Sequence, residues 1–163
     1  MSETGGEAGL TVTVAQGALR GRIDGGVVAF LGVPYAAAPF GVHRMRPPQP
    51  CPSWVGVRAA TSYGPTCPKA AYPPQYAPLF PEVEIPGAEC LNLNVWTPDP
   101  AAAGLPVLVW VHGGAFTNGS GSVAEYRGSG FARDGVVCVT INYRLAAEGI
   151  SVLRRWLRQP RAA

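Results

Sequence analysis

Apolar and polar positions alternate with a period of two through much of residues 10–33. LTVTV (10–14) runs into an Ala15-Gln16-Gly17 turn, and ALRGRI (18–23) follows. Asp24-Gly25-Gly26 then separates that run from VVAFLGV (27–33). Period two puts successive side chains on opposite faces of a strand, and glycine pairs supply the positive φ angles of a tight hairpin. The pattern predicts a small antiparallel meander at one edge of the fold. Three apolar runs occupy the second half. CLNLNVW (90–96) alternates and reads as a half-buried strand. PVLVWVH (106–112) and GVVCVTINY (135–143) are almost wholly apolar and read as strands buried on both faces. Between them, SVAEYRGSGFARDG (122–135) predicts a short helical stretch ended by Gly135. Strand, loop, helix and strand in that order make the unit of a parallel α/β sheet. After Ser151 the pattern allows about one helical turn before Pro160 stops it.

The stretch between the two halves is different. Residues 34–88 hold 13 of the 17 prolines, and no helical period survives there. Trp54, Tyr63, Tyr72, Tyr76 and Phe80 are too aromatic for a solvated linker. A long irregular segment, packed on the rest of a larger protein, fits better.

Charge changes the picture little. The net charge is +3, but residues 1–150 carry nine basic and ten acidic side chains, a net of −1. The excess belongs to Arg154, Arg155, Arg158 and Arg161. Four arginines without interleaved aromatics do not make a nucleic-acid module, and no such partner is expected. Met1–Leu10 is acidic and small, lacks the features of a signal peptide, and is expected to be disordered. No apolar run approaches the roughly 18 residues of a membrane span. These features predict a cytoplasmic protein without a membrane partner. One Lys against twelve Arg suggests a GC-rich bacterial genome. Cys51, Cys67, Cys90 and Cys138 show no CxxC spacing, so no metal site is expected. Cys138 reads as a small buried hydrophobe.

The candidate chemistry lies in VWVHGGAFTNGSG (109–121). A parallel strand delivers the chain to the carboxyl edge of a sheet, where open α/β sheets bind ligands. Gly113 and Gly114 let the backbone turn sharply and aim N–H groups into a cleft. Donors fixed in that way stabilise the oxyanion of an acyl-transfer intermediate, each being worth about 2.7–4 kcal/mol of barrier. A plain glycine-rich turn between strand and helix would look the same at this point.

Four further stretches decide between these readings. PYAAAPFGVHRMRPPQP (34–50), ATSYGPTCP (60–68), ECLNLNVWTP (89–98) and TINYRLAAEG (140–149) flank the glycine loop in order. Together they resemble the type-B carboxylesterase and lipase family, which includes the cholinesterases. The resemblance runs from about Thr11 to about Leu153 and covers roughly the N-terminal third of the family's catalytic domain. It implies an incomplete α/β-hydrolase fold, with an antiparallel N-terminal edge leading into a mostly parallel sheet. It implies hydrolysis of small carboxylic esters through an acyl-serine, with no metal or cofactor. By the match, the N–H groups of Gly114 and Ala115 are oxyanion donors, Gly113 shapes the loop, and Phe116 lines the acyl or alcohol pocket. Cys67 and Cys90 align with a pair that forms a small disulfide loop in many relatives. Arg44 aligns with an arginine whose acidic partner is here replaced by Ala88, leaving Glu89 as a substitute.

The rest of the family's machinery is not in the sequence. No serine stands in a Gly-x-Ser-x-Gly elbow: Ser120, Ser122, Ser129 and Ser151 all lack one or both glycines. His112 belongs to the oxyanion loop by the match, and His43 lies in the proline-rich segment. None of the triad is present. From Arg154 the chain turns abruptly to Arg, Pro and Ala, as a shifted reading frame in a GC-rich gene would. The expected organisation is a disordered 1–10, a carboxylesterase-like 11–153 and a divergent 154–163. Such a chain is expected to be inactive alone and poorly soluble. A non-catalytic cholinesterase-like interaction domain and one half of a split esterase are the alternatives. The sequence leaves the oligomeric state and the particular ester open.

Overall fold

The computed structural model of the chain describes residues 10–79 and 82–151. The expected disordered start, Phe80, the turn after Ser151 and the arginine tail lie largely or wholly outside those residues.

The N-terminal alternation forms strands as expected, but in two sheets. Strand β1 (Thr11–Val14) pairs antiparallel with β2 (Gly17–Arg20). The run ALRGRI then divides at Gly21, whose Cα lies against the Ala29 carbonyl and the Phe30 ring. No side chain fits there, so the chain crosses at that point into the second sheet. Strand β3 (Arg22–Asp24) continues into β4 (Val27–Pro34) through Gly25 and Gly26, with φ of 65° and 87°. Both signs are positive, as a type I′ hairpin turn requires.

Strand β4 is buried along most of its length because both its faces are covered. Val27, Ala29 and Leu31 pack with Trp96 and Ala132. Val28 and Phe30 face the other way, onto Leu19 and Ala60. The proline-rich segment supplies much of this second cover. Its strand β5 (Val57–Ala59) runs parallel to β2, completing the three-stranded sheet β1-β2-β5. Trp54 seals the β1–β2 turn and donates its indole N–H to the Ala18 carbonyl at 2.8 Å. The segment therefore packs in part on this chain's own strands.

The larger sheet has the order β3-β4-β6-β8-β7, with β6 at Asn92–Thr97, β7 at Val107–Val111 and β8 at Val137–Ile141. The β3–β4, β4–β6 and β6–β8 pairs are antiparallel, and only β7–β8 is parallel. In this larger sheet antiparallel pairs dominate among the described residues, and the parallel part is the single pair β7–β8. Helix α1 (Ser129–Arg133) falls inside the expected helical stretch between β7 and β8 and ends before Gly135, which has φ of 87°. Helix α2 (Ala146–Ile150) follows β8.

Three strands differ from their expected burial: in β8, expected to be buried on both faces, Cys138 and Thr140 are buried while Val137, Val139 and Ile141 are only half-buried. In β6 it is Asn92, Asn94 and Trp96 that are buried, while Leu93 and Val95 are only half-buried. Strand β7, expected to be buried on both faces, is the edge of the sheet among the described residues. Val107, Val109, Trp110 and Val111 are each 44–61% exposed.

Candidate active-site loop

Strand β7 ends at Val111, and the next residue enters a tightly folded loop. Gly114 has φ of 124°, and Ala115 and Phe116 have φ of 51° and 62°. Two consecutive non-glycine residues in the left-handed region are strained, at roughly 1–3 kcal/mol each, and such strain gathers at functional sites. The loop closes on itself: the N–H groups of Thr117 and Asn118 both donate to the Gly114 carbonyl, at 2.9 and 3.0 Å. A side chain at Gly114 would overlap the Asn118 carbonyl, whereas one at Gly113 would meet open space. The turn therefore depends on Gly114 rather than on Gly113, the residue assigned to shape it. Among the described residues no hydrogen bond is donated by the N–H of Gly114 or Ala115. Both donors remain available.

The loop is held from three sides. Below it, His112 is 3% exposed and its ring stacks on Tyr143 at 4.4 Å. Its Nδ1 lies 2.8 Å from the Gly113 carbonyl oxygen, which can only accept, so a hydrogen bond here requires the tautomer protonated on Nδ1. Burial, helped by the Lys69 charge, holds the imidazole below its ordinary range and keeps it neutral near pH 7. Tyr143 donates its hydroxyl to the His112 carbonyl at 2.7 Å.

On one flank stands the proline-rich segment. Lys69, buried, pairs with Glu82 and donates to the carbonyls of Val83 at 2.5 Å and Gly119 at 3.5 Å. Asn118 donates its side-chain amide to the Ala70 carbonyl.

Behind the loop stand the buried asparagines of β6 and the end of β8. Asn142 Oδ1 accepts from the Gly121 N–H at 2.8 Å. Asn94 Nδ2 and Thr140 Oγ1 both donate to the Gly121 carbonyl, at 3.1 and 2.9 Å. Asn142 Nδ2 reaches Asn92 Oδ1 at 3.2 Å. Every one of these polar groups is out of water, and pairing them in this way is what makes their burial tolerable. The sequence reading passed over these asparagines. Their signal was visible, since polar residues at alternate places in LNLNV and INY are unexpected in strands this apolar.

Phe116 is 58% exposed, meets Tyr143 edge-on at 6.4 Å, and accepts from the Ala146 N–H at 2.7 Å. It is a surface aromatic beside the loop, not part of the core. Cys67 and Cys90 are both free and buried, in a cluster with Ala36 and Leu91. The hydrogen bond to Cys90, together with burial, pushes the Cys67 thiol well above its ordinary range. Arg44 does not turn to Glu89. Its Nε lies 2.7 Å from Glu148 on α2, while Glu89 pairs with Arg58 at 2.5 Å. Arg44 is largely exposed, so neither a buried ion pair nor an orphaned buried charge arises at this place. Of the two histidines and the serines, none of the described ones forms a nucleophile–base pair.

No group of His, Cys, Asp and Glu among the described residues is arranged to hold a metal ion. No helix among them is long and apolar enough to cross a membrane.

Strand, strained glycine loop and flanking segments together match a known family. The model of the carboxylesterase family fits residues 8–153. The chain belongs to that family. It is 44% identical over 135 residues to the phenmedipham hydrolase of Pseudarthrobacter oxydans, covering 82% of this chain and 27% of that protein. It is 41% identical to the para-nitrobenzyl esterase of Bacillus subtilis over 140 residues, 85% of this chain and 28% of that one. A crystal structure of a Geobacillus stearothermophilus carboxylesterase superposes with a TM-score of 0.74 at 42% identity, over 86% of this chain and 27% of the other. The described residues therefore take the fold of that part of an α/β-hydrolase. The chain spans little more than a quarter of the length of these relatives.

Proposed function

We propose that the chain supplies the oxyanion-stabilising loop of a carboxylic ester hydrolase. The N–H groups of Gly114 and Ala115 are the donors, and Phe116 borders the pocket for the acyl or alcohol group of a small ester. The observation that carries this reading is the run of three positive φ angles at 114–116 soon after a parallel strand, with two N–H groups that have no partner among the described residues. Donors held rigid before charge develops need no reorganisation when the carbonyl oxygen becomes an oxyanion. Neither a metal nor a cofactor enters this chemistry.

Residues 1–163 by themselves do not turn over esters in this reading, because they contain no elbow serine and no paired acid and histidine. The test is hydrolysis of a short p-nitrophenyl ester. The chain is assayed alone and then co-expressed with the downstream part of the Bacillus subtilis para-nitrobenzyl esterase. Turnover only in the co-expressed sample is expected. Saturable hydrolysis by the chain alone would overturn the claim of inactivity. Activity in the mixture that is indifferent to Gly114→Ala would remove the loop from the mechanism.

A further inference from the structure

We propose that His112 is a positioning residue, whose Nδ1–H grips the Gly113 carbonyl and thereby aims the Gly114 N–H. The proposal rests on the oxyanion reading of Gly114 for its purpose, though not for its geometry.

The argument starts from the peptide plane. The described residues contain no cis peptide bonds, so in the Gly113–Gly114 unit the C=O and the N–H point in opposite directions. Whatever fixes the carbonyl oxygen fixes the N–H on the other side. Between two glycines that is not a small matter. A peptide flanked by side-chain-free residues has the widest rotational freedom in the chain, and a donor that rotates cannot be ready before charge appears.

His112 removes this freedom through one bond of 2.8 Å. Its own ring is immobilised by the nearly parallel stack on Tyr143, at 17° and 4.4 Å. Its backbone is tied to the same tyrosine, through the hydroxyl that donates to the His112 carbonyl. The bond is also roofed. Gly119 has φ of 90°, and a Cβ there would fall on the Gly113 oxygen and on His112 Nδ1. Only glycine can approach this closely. Lys69 reaches the Gly119 carbonyl from the outside. The imidazole thus has its Nδ1 turned to the loop.

A packing role for the ring would produce the same burial and the same stack, so the test separates donor from ring. The full-length chain is labelled with 15N, and the tautomer of His112 and the amides of 113–115 are read by NMR. The Trp96 indole N–H, bonded to Asp24 at 2.7 Å, serves as the reporter of an intact fold. The proton is expected on Nδ1. His112→Phe keeps a stacking ring and loses the donor. With the Trp96 signal unchanged, it is expected to shift the Gly114 amide resonance and to broaden it as the freed peptide samples other orientations. His112→Asn places an amide N–H where Nδ1 stood and is expected to restore the Gly114 signal. His112→Gln, which reaches to the Nε2 position, is not. A proton on Nε2, or a Gly114 amide that His112→Phe leaves in place, overturns the proposal. Loss of the Trp96 signal in every variant would assign His112 to the core and overturn it equally. None of these readouts involves turnover, so the oxyanion reading can fail in the esterase assay while this inference stands, and the reverse.

Discussion

At the scale of the residue, the two glycines after His112 have opposite structural standing. Gly114 sits at φ of 124° with the Asn118 carbonyl where a Cβ would lie, and Gly113 has open space there. Gly114→Ala is expected to cost about 1–3 kcal/mol of stability, the strain of a forced backbone. Gly113→Ala is expected to fall within about 0.5 kcal/mol of the parent. Urea denaturation of both variants checks the contrast, and equal losses would mean that the loop does not hold this shape. His112 gives a pH signature. Its folded pKa lies below the ordinary 6.5, so the folded state resists protonation where the unfolded chain accepts it. That contribution is complete above about pH 6.5 and is lost as pH falls through and below that value. Denaturation midpoints measured from pH 8 down to pH 5 are expected to decline more steeply for the parent than for His112→Asn. Parallel curves would show that His112 titrates alike in both states. Cys67 and Cys90 pose a third question, since free thiols this close are the pair that the family resemblance would join. Oxidation is expected to close a loop worth about 3 kcal/mol, seen as a non-reducing mass loss together with a raised urea midpoint. A chain that keeps both thiols under mild oxidant would count against the pairing.

At the scale of the element, periodicity carried the reading far, and its failures are of one kind. The period-two and continuous apolar runs found β1, β4, β6, β7 and β8, and the glycine pair at 25–26 found the hairpin. What pattern cannot supply is the neighbour. ALRGRI reads as one strand until the Ala29 carbonyl is seen to occupy the space beside Gly21. Likewise LNLNVW reads as apolar-in and polar-out, because hydrophobic rank is a property of one chain and a hydrogen-bond network is a property of three. Asn94 is buried since Gly121, Thr140 and Gly32 converge on it from other elements: the Gly32 N–H donates to its Oδ1 at 2.9 Å. The strained glycine loop itself was legible as sequence because glycine next to glycine announces an unusual backbone. Its supports at Lys69, Glu82 and Asn142 were not, since each lies more than 20 residues from Gly114 along the chain. The asparagine network makes a prediction at this scale. Asn94→Ala leaves buried groups of both strand and loop unpaired, and is expected to destabilise by about 3 kcal/mol. Leu93→Ala, on the half-buried face of the same strand, is expected to cost less. The reverse order in urea melts would return β6 to the simple amphipathic reading.

At the scale of the molecule, β7 is where the apolar pattern and the structure part most widely. A run apolar on both faces belongs inside a parallel sheet, with a strand beyond it and helices above and below. Here β8 covers one edge, and the Trp110 ring rests on Tyr126 at 5.4 Å. Beyond these contacts Val107, Val109, Trp110 and Val111 face outward. Among the described residues the strand therefore presents unpaired backbone groups and an apolar surface together, the two features that template association between chains. Residues 1–163 are expected to associate in solution, with an apparent mass that rises with concentration above the 17.0 kDa of one chain. Val109→Lys places a charge in the middle of that edge, where pairing with another strand would bury it. It is expected to move the chain toward monomer without changing its urea midpoint, because Val109 is already 56% exposed. Light scattering across a dilution series, on parent and variant, decides the matter. If the parent is monomeric throughout, the β7 edge does not template association. If the variant associates as the parent does, the contact lies on another surface, and the apolar groove bounded by Leu108, Trp110 and Phe131 is the next to be charged.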